Sequence, residues 1–324
     1  GAVAYGFESS REGQAEQEPK LWTDALEKAL KEALNETHNV IGVGVSGQQH
    51  GLVPLDSDNN IIRAAKLWCD SESSAEAAEL APALGFECQA AFTATKVLWM
   101  KRHEPHNFEA LRSVLLPHDY INFVLTGRAC MEASDASGIG VMDLESRAWD
   151  PAKCAAVDPR FESMLPAIVP PNQAIGNISE AASARFGLPS SAVVSPGGGD
   201  NACAALGCGA VKDGTWIISL GTSATLFGPT SSPVFDPSGT VAPFCDATGA
   251  WLPLICTQNC TGVLEEVKAA SGGLTYDELT ELAEAEEPGC SGLTFLPYLT
   301  GERTPNWPGA SGALVGMRPS HLQN

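Results

Sequence analysis

The segment SPGGGDNACAALGCGAVKDGTWIISLGTS, Ser195 to Ser223, decides how the chain is read. Its glycines Gly197, Gly198 and Gly199 follow the apolar run Ala192 to Val194 and deliver Asp200 at the start of a predicted helix. Glycine tolerates positive φ and leaves bare backbone for a ligand to approach, and a helix N-terminus favours nearby negative charge. Further along, a predicted strand from Thr215 to Leu220 turns at Gly221, Thr222 and Ser223 and resumes as Ala224 to Phe227. A hairpin turn of this kind offers backbone N–H groups and two hydroxyls, a cradle suited to phosphate oxygens. One carboxylate and one phosphate cradle are the pairing that phosphoryl transfer to a hydroxyl requires.

The length of 324 residues allows two domains with cores of their own. A hydrophobic share of 44% and a charged share of 18% describe an ordinary globular protein. The 39 acidic and 19 basic residues leave a net charge of −20, which repels nucleic-acid phosphate and anionic membrane alike. No basic patch offsets it, so nucleic acid and membrane are excluded as partners and a small, mostly neutral substrate fits better. No apolar run approaches the roughly 18 residues of a bilayer span. A soluble, cytoplasmic protein is therefore expected, with the reservation that the chain opens GAVAYG, and an organelle-targeting segment ahead of it would leave no trace here. The 10 cysteines form no C-x-x-C pair and lie in apolar segments, the pattern of reduced thiols rather than zinc ligands. The N-x-[ST] triplets at Asn35, Asn177 and Asn259 read as chance.

Alternation of strand and helix starts early. Val3 to Phe7 reads as a short strand, and Thr23, Asp24 and Glu27 open a helix with an apolar face at Ala25, Leu26, Ala29, Leu30, Ala33 and Leu34. Val40 to Val45 and Leu52 to Leu55 read as strands, the second closing on a turn from Asp56 to Asn60. Further helices are predicted at Ser71 to Leu84, Lys96 to Arg102, His118 to Leu125, Glu180 to Phe186 and Thr261 to Ala270, with an irregular, proline-rich connection from Pro166 to Ala174. This order predicts an α/β fold, with the domain change close to Val211.

Gly42, Gly44 and Gly47 match the dinucleotide pattern G-x-G-x-x-G, but the sequence continues as a second strand where that site needs a helix. Asp56, Asp58 and Asn60 start like a calcium loop, yet Ile61 and Leu67 stand where glycine and glutamate are required. Gln48, Gln49 and His50 end a predicted strand and offer amide and imidazole groups able to bond hydroxyls. Trp68 and Asp70 could stack on and bond a sugar; a core tryptophan with an aspartate helix cap explains them equally well. Glu302 and Arg303 read first as a structural pair in a proline-flanked turn, and His103 to His106 as a solvent-exposed stretch without zinc spacing.

Taken together, SGQQHG at Ser46 to Gly51, KLWCD at Lys66 to Asp70, FTATKVLW at Phe92 to Trp99, LLPHDY at Leu115 to Tyr120, SDASG at Ser134 to Gly138, PGGGDNA at Pro196 to Ala202, SLGTSA at Ser219 to Ala224 and FLPYLTGERTP at Phe295 to Pro305 resemble the FGGY carbohydrate kinases. This is the family of xylulokinases and glycerol kinases, and the likeness to the xylulokinase branch is greatest. The resemblance covers almost the whole chain. It implies two actin-like, ribonuclease H-like α/β domains flanking a cleft, both incomplete here: residues 1–211 binding sugar and residues 212–324 beginning the nucleotide domain. It also implies ATP and Mg2+ as cofactors and D-xylulose as acceptor, phosphorylated at its 5-hydroxyl. By the same resemblance Asp200 is the general base. Gln48, Gln49, His50, Trp68, Asp70 and Asn201 fall on the sugar side, and Gly221, Thr222 and Ser223 on a phosphate hairpin. No residue is assigned to a metal, and a homodimer is compatible with the family.

Two substitutions and two gaps depart from the family's pattern. Gln49 stands where many relatives carry Met, and Glu72 where many carry Arg. Neither the D-x-G-T hairpin that normally opens the family nor its Gly-Gly-Gly-Ala adenosine motif occurs in the sequence. The chain is therefore expected to be the middle of a kinase, binding sugar weakly and transferring phosphate poorly when alone. The competing expectations are a kinase-derived protein that binds sugar without catalysis or serves regulation, and a kinase for ribulose, another ketose or glycerol.

Overall fold

Three pairs of parallel strands organise the first part of the molecule, seen in a computed structural model that describes residues 1–34, 39–299, 301–305, 307 and 309–322. The Asn35 triplet begins outside the described residues, as does Thr300 of the FLPYLTGERTP segment. The chain divides into two compact units, Gly1–Thr215 with Gly228–Pro253, and Trp216–Phe227 with Leu254–Asn324.

In the first unit, β1 (Glu16–Gln17) leads into α1 (Pro19–Ala33). The helix begins before the Thr23–Glu27 signal because Pro19 fills its first turn, where a missing N–H costs nothing. Val3 to Phe7 forms no strand; Tyr5 and Phe7 are exposed, so their alternation has no face to bury. Of the run expected as a strand at Val40 to Val45 only β2 (Gly42–Val43) forms, and β3 (Ser46–Gly47) follows just beyond it. Then come β4 (Val53–Leu55), β5 (Ala65–Lys66), α2 (Ser74–Leu84), α3 (Thr93–His103), α4 (Pro105–Ala110), β6 (Ser113–Leu115) and α5 (Pro117–Thr126). Asp56 closes the predicted turn by accepting the N–H groups of Asp58 and Asn60, each at 2.8 Å.

Next, β7 (Met131–Glu132) runs straight into α6 (Ala133–Ala136), followed by α7 (Pro151–Val157), α8 (Phe161–Met164) and β8 (Ile168–Val169). The last of these corrects the irregular connection expected at Pro166 to Ala174: a two-residue strand fits between its prolines because Val169 is buried and β8 pairs with β7 in parallel. The unit continues through β9 (Gly176–Asn177), α9 (Glu180–Phe186), β10 (Val193–Val194), β11 (Gly198–Gly199) and α10 (Asp200–Gly207). Strand β10 lies parallel to β2 and antiparallel to β9, and β11 lies parallel to β3. Between β10 and β11 the chain bends at Gly197, whose φ of +72° and whose approach to the Val45 carbonyl, 2.1 Å from where a Cβ would stand, admit only glycine. Leu26 and Leu30 of α1, Leu125 of α5 and Ala182 and Phe186 of α9 pack into one core with Val43 and Val194. Trp22, Val53, Leu55, Leu67 and Leu115 form a second.

The strand β14 (Ala242–Cys245) also belongs to the first unit. In the second unit β12 (Ile217–Leu220) and β13 (Ala224–Phe227) form the predicted hairpin, with Leu220 opposite Ala224. Strand β15 (Trp251–Thr257) pairs with β13 through residues 254–257. Helices α11 (Thr261–Ala270) and α12 (Tyr276–Ala285) follow, the latter started by a reciprocal cap between Thr275 and Glu278. A hairpin of β16 (Thr294–Leu296) and β17 (Ala313–Val315) completes the unit. No helix of the described residues is long and apolar enough to cross a membrane.

Candidate active site

The parallel register sets Ser46 beside Gly198 and Gly47 beside Gly199, so the next residues of both strands emerge together. These are Gln48, Gln49 and His50 on one side and Asp200 and Asn201 on the other. Carboxyl ends of parallel strands are where open α/β sheets gather ligands. Asn201 donates from Nδ2 to Gln49 Oε1 at 3.0 Å and to Asp200 Oδ1 at 3.0 Å, and its backbone N–H reaches the same Asp200 oxygen at 2.8 Å. Gln49 is only 4% exposed, and its Nε2 has no hydrogen-bond partner among the described residues. A buried amide nitrogen left so is costly unless something else takes up its protons. Glycine at 199 is required here, because a Cβ would stand 2.6 Å from Gln49 Cγ.

Asp200 opens helix α10 and is itself solvent-exposed, although protein surrounds the carboxylate closely enough for desolvation to dominate its proton affinity. Desolvation, with a smaller push from the Asp135 charge, raises its pKa to about 6 against the pull of the Asn201 hydrogen bonds. A carboxylate so poised is ionised at neutral pH yet basic enough to accept a proton.

Below this pair lies a buried polar cluster that sequence reading gave no role. His118 Nδ1 stands 2.7 Å from Asp135 Oδ2, and His118 Nε2 stands 3.1 Å from Asp119 Oδ1. Burial favours the neutral imidazole, but the carboxylates of Asp119, Asp135 and Glu132 outweigh it and raise the His118 pKa; burial raises those of Asp119 and Glu132. Glu132 accepts the N–H groups of Ser134 and Asp135 and the Ser134 hydroxyl, and Ser134 Oγ accepts the Gly199 N–H at 3.3 Å. These residues lie in SDASG and LLPHDY or just before them, so the resemblance marked their place without their function.

His50 is buried in a left-handed backbone conformation, φ +60°. Its N–H donates to Asp135 Oδ1 at 3.3 Å, its carbonyl accepts from Thr93 Oγ1 at 2.9 Å, and its ring stacks on Phe92 and lies tilted against Phe244, with centroids 5.9 and 5.0 Å away. Gly138 passes directly against the ring.

The remaining sugar-side candidates are placed differently. Gln48 Nε2 donates to Gln17 Oε1 at 3.0 Å, beside a cavity of about 480 Å³ lined in part by Tyr5, Trp22, Leu26, Val45 and His118. Trp68 is 38% exposed rather than a core residue. Asp70 is buried and caps no helix; it accepts the N–H of Ala15 at 2.9 Å and of Glu72 at 3.2 Å, and pairs with Lys66 Nζ at 3.1 Å. Among the described residues no contact joins Asp70 to Gln49, His50 or Asp200. The carboxylates of Glu16, Asp70 and Glu72 converge within 4.8 Å, close enough to hold a cation, and the Lys66 ammonium pairs with all three.

In the second unit the Gly221–Ser223 turn is closed by Gly221 N–H to Ser223 O at 2.9 Å. The start of α11 backs it: Cys260 N–H donates to Thr222 O at 3.1 Å and Thr261 N–H to Gly221 O at 2.9 Å. Thr222 is exposed and Ser223 half-buried. Glu302, buried, accepts the N–H groups of Gln258 and Arg303 and the Asn259 side chain, fixing the segment that precedes α11. These bonds hold its carboxyl below the usual range despite burial, which pushes the other way.

A sequence profile of the N-terminal domain of the FGGY family of carbohydrate kinases matches residues 2–207. The chain belongs to the FGGY family. Among curated FGGY relatives, xylulose kinase of Haemophilus influenzae is 37% identical over 96% of this chain and 67% of its own length. Xylulose kinase of Streptomyces rubiginosus is 42% identical over 94% of this chain and 62% of its own. The chain thus spans about two thirds of the length of these relatives. A crystal structure described as a xyloylose kinase from Brucella ovis superposes with a TM-score of 0.88 at 33% identity, covering 97% of this chain and 67% of that one. The actin-like α/β class expected from the sequence is the class of these FGGY kinases.

Proposed function

We propose that the chain is part of an ATP-dependent ketose kinase that phosphorylates the 5-hydroxyl of D-xylulose, with residues 1–211 serving sugar and residues 212–324 serving nucleotide. The observation that carries this reading is the Gln49–Asn201–Asp200 chain of hydrogen bonds. Gln49 Nε2, buried without a hydrogen-bond partner among the described residues, takes a sugar hydroxyl as acceptor, and His50, next in the chain, adds a polar side chain beside it. Asp200, ionised at neutral pH, accepts the proton of the hydroxyl as its oxygen meets the transferred phosphorus. Asn201 holds one carboxylate oxygen, leaving Oδ2 for that proton. Phosphoryl transfer is mostly alignment and charge neutralisation, so a fixed base is a large share of what the acceptor side must provide.

The Gly221–Ser223 turn fits phosphate oxygens through its exposed backbone and the hydroxyls of Thr222 and Ser223. ATP would supply the phosphoryl group as co-substrate, and a divalent cation, Mg2+ in this reading, would neutralise its charge. The 37% and 42% identical relatives named for xylulose support D-xylulose over other acceptors.

Coupled ADP release by the full-length protein, offered D-xylulose, D-ribulose, L-ribulose and glycerol, tests the reading. Turnover should be fastest with D-xylulose. Faster turnover of another acceptor would move the substrate, and none with any would remove the kinase activity.

A further inference from the structure

Asp135 is fully buried and lies 85 residues from His50 in sequence, yet its two oxygens do separate work. Oδ1 accepts the His50 N–H at 3.3 Å, and Oδ2 stands 2.7 Å from His118 Nδ1. The His50 backbone needs such support, since a residue other than glycine rarely holds φ near +60° without it. His118 presses against the same strand end: Gly47, one residue from Gln48, packs so closely that a Cβ there would stand 2.7 Å from His118 Cβ. Neighbouring rings Phe92 and Phe244 confine the plane of the His50 imidazole, but apolar faces do not specify the turn of the backbone beneath it.

Resting on the acceptor-site reading above, we infer that His118 and Asp135 are positioning residues: the buried pair fixes the turn at His50 and so aims Gln49 and His50 at the sugar. The charged groups facing His118 are the carboxylates of Asp119, Asp135 and Glu132. Asp135 holds Nδ1 by a hydrogen bond, whereas Asp119 Oδ1 stands 3.1 Å from Nε2 without hydrogen-bond geometry, and rotation of the ring would break the contact that orients Asp135.

Two variants in the full-length protein test this. His118→Phe keeps a ring and removes both nitrogens, whereas His118→Asn returns a donor near the Nδ1 position. His118→Phe is expected to raise the KM for D-xylulose about tenfold or more while the KM for ATP stays within about twofold, and His118→Asn to recover most of the loss. In parallel, the His50 Cε1–H signal of carbon-13-labelled histidine should move in His118→Phe without ligand present. A stationary His50 signal, or KM values that rise equally for both substrates, would overturn the inference, as would His118→Asn behaving like His118→Phe. If the wild type proves not to use D-xylulose while the His50 signal still moves, the acceptor assignment fails and the support of the turn stands.

Discussion

Asn201 Nδ2 stands 3.0 Å from Gln49 Oε1, joining residues 152 positions apart across the end of two parallel strands. The same amide group reaches Asp200 Oδ1. One side chain therefore links the buried glutamine that would hold sugar to the carboxylate that would take its proton. Displacing either strand by one residue would break the link, which explains why glycines stand on both strands where they touch: bulk at Gly47 meets His118 and bulk at Gly199 meets Gln49.

Asp200→Asn removes a general base, and in the full-length protein turnover should fall by about 10² to 10⁴-fold. The wild type should show an acid limb, because the base works only when ionised: kcat/KM is flat above pH 7 and declines as pH drops through about 6. The variant should lose that limb. ADP release measured from pH 5 to 8 checks both, and unchanged turnover in the variant would dismiss Asp200 as the base.

Asn201→Ala should shift the limb rather than erase it. The Asn201 hydrogen bonds pull the Asp200 pKa down against desolvation, and alanine keeps the backbone N–H but loses the side-chain donor. The midpoint of the pH profile should move upward and the KM for D-xylulose should rise, since Gln49 loses its anchor. A midpoint that stays or falls would contradict the hydrogen-bond account.

Asp200 also bears on stability. Its folded pKa of about 6 exceeds the unfolded aspartate value of about 3.9, so the native state holds the proton more tightly. The resulting stabilisation is fully present below the unfolded value and is lost as pH rises through 6, leaving the ionised group a liability at neutral pH. Asp200→Asn should therefore raise Tm at pH 7, modestly because the residue is exposed, with the gain vanishing towards pH 4. Thermal melts of both proteins across that range decide it; a variant less stable at pH 7 would count against the desolvation.

Much of this was legible wherever the signal was local. Helix α9 runs from Glu180 to Phe186 as predicted because Ser179 caps it and Gly187 ends it in a left-handed turn, and the Gly221 hairpin and α11 follow equally local signs. Asp200 was singled out as a candidate through the glycines that precede it, and Gln49 as a hydroxyl-binding amide at a strand end. The polar cluster was not, because Asp135 and His118 gain meaning only from partners far along the chain. For Asp70 the local reading beside Trp68 does not convey its i,i+4 pairing with Lys66, which takes the carboxylate into a buried ion cluster.

That cluster makes the last prediction. Lys66 is fully buried, its ammonium 3.0 Å from Glu16 and 3.1 Å from Asp70, in closer contact with Glu72, and 3.9 Å from the centre of the Trp99 ring. Burial pushes the Glu16 carboxyl up, but Arg63 and Lys66 outweigh it and hold it below the usual range. A depressed carboxylate adds stability above its unfolded pKa, and that contribution is lost only as pH falls through the folded value. Lys66→Met keeps an unbranched apolar stem and removes the cation, leaving two buried carboxylates and the half-buried Glu72 within 4.8 Å of one another. The loss should be about 3 to 5 kcal/mol at neutral pH, the scale for breaking a buried ion pair from one side. Protonation relieves carboxylate repulsion, so the gap between variant and wild type should narrow as pH is lowered from 8 to 5. Urea unfolding at those two pH values measures the gap, and a constant or widening difference would mean that Lys66 contributes packing rather than charge.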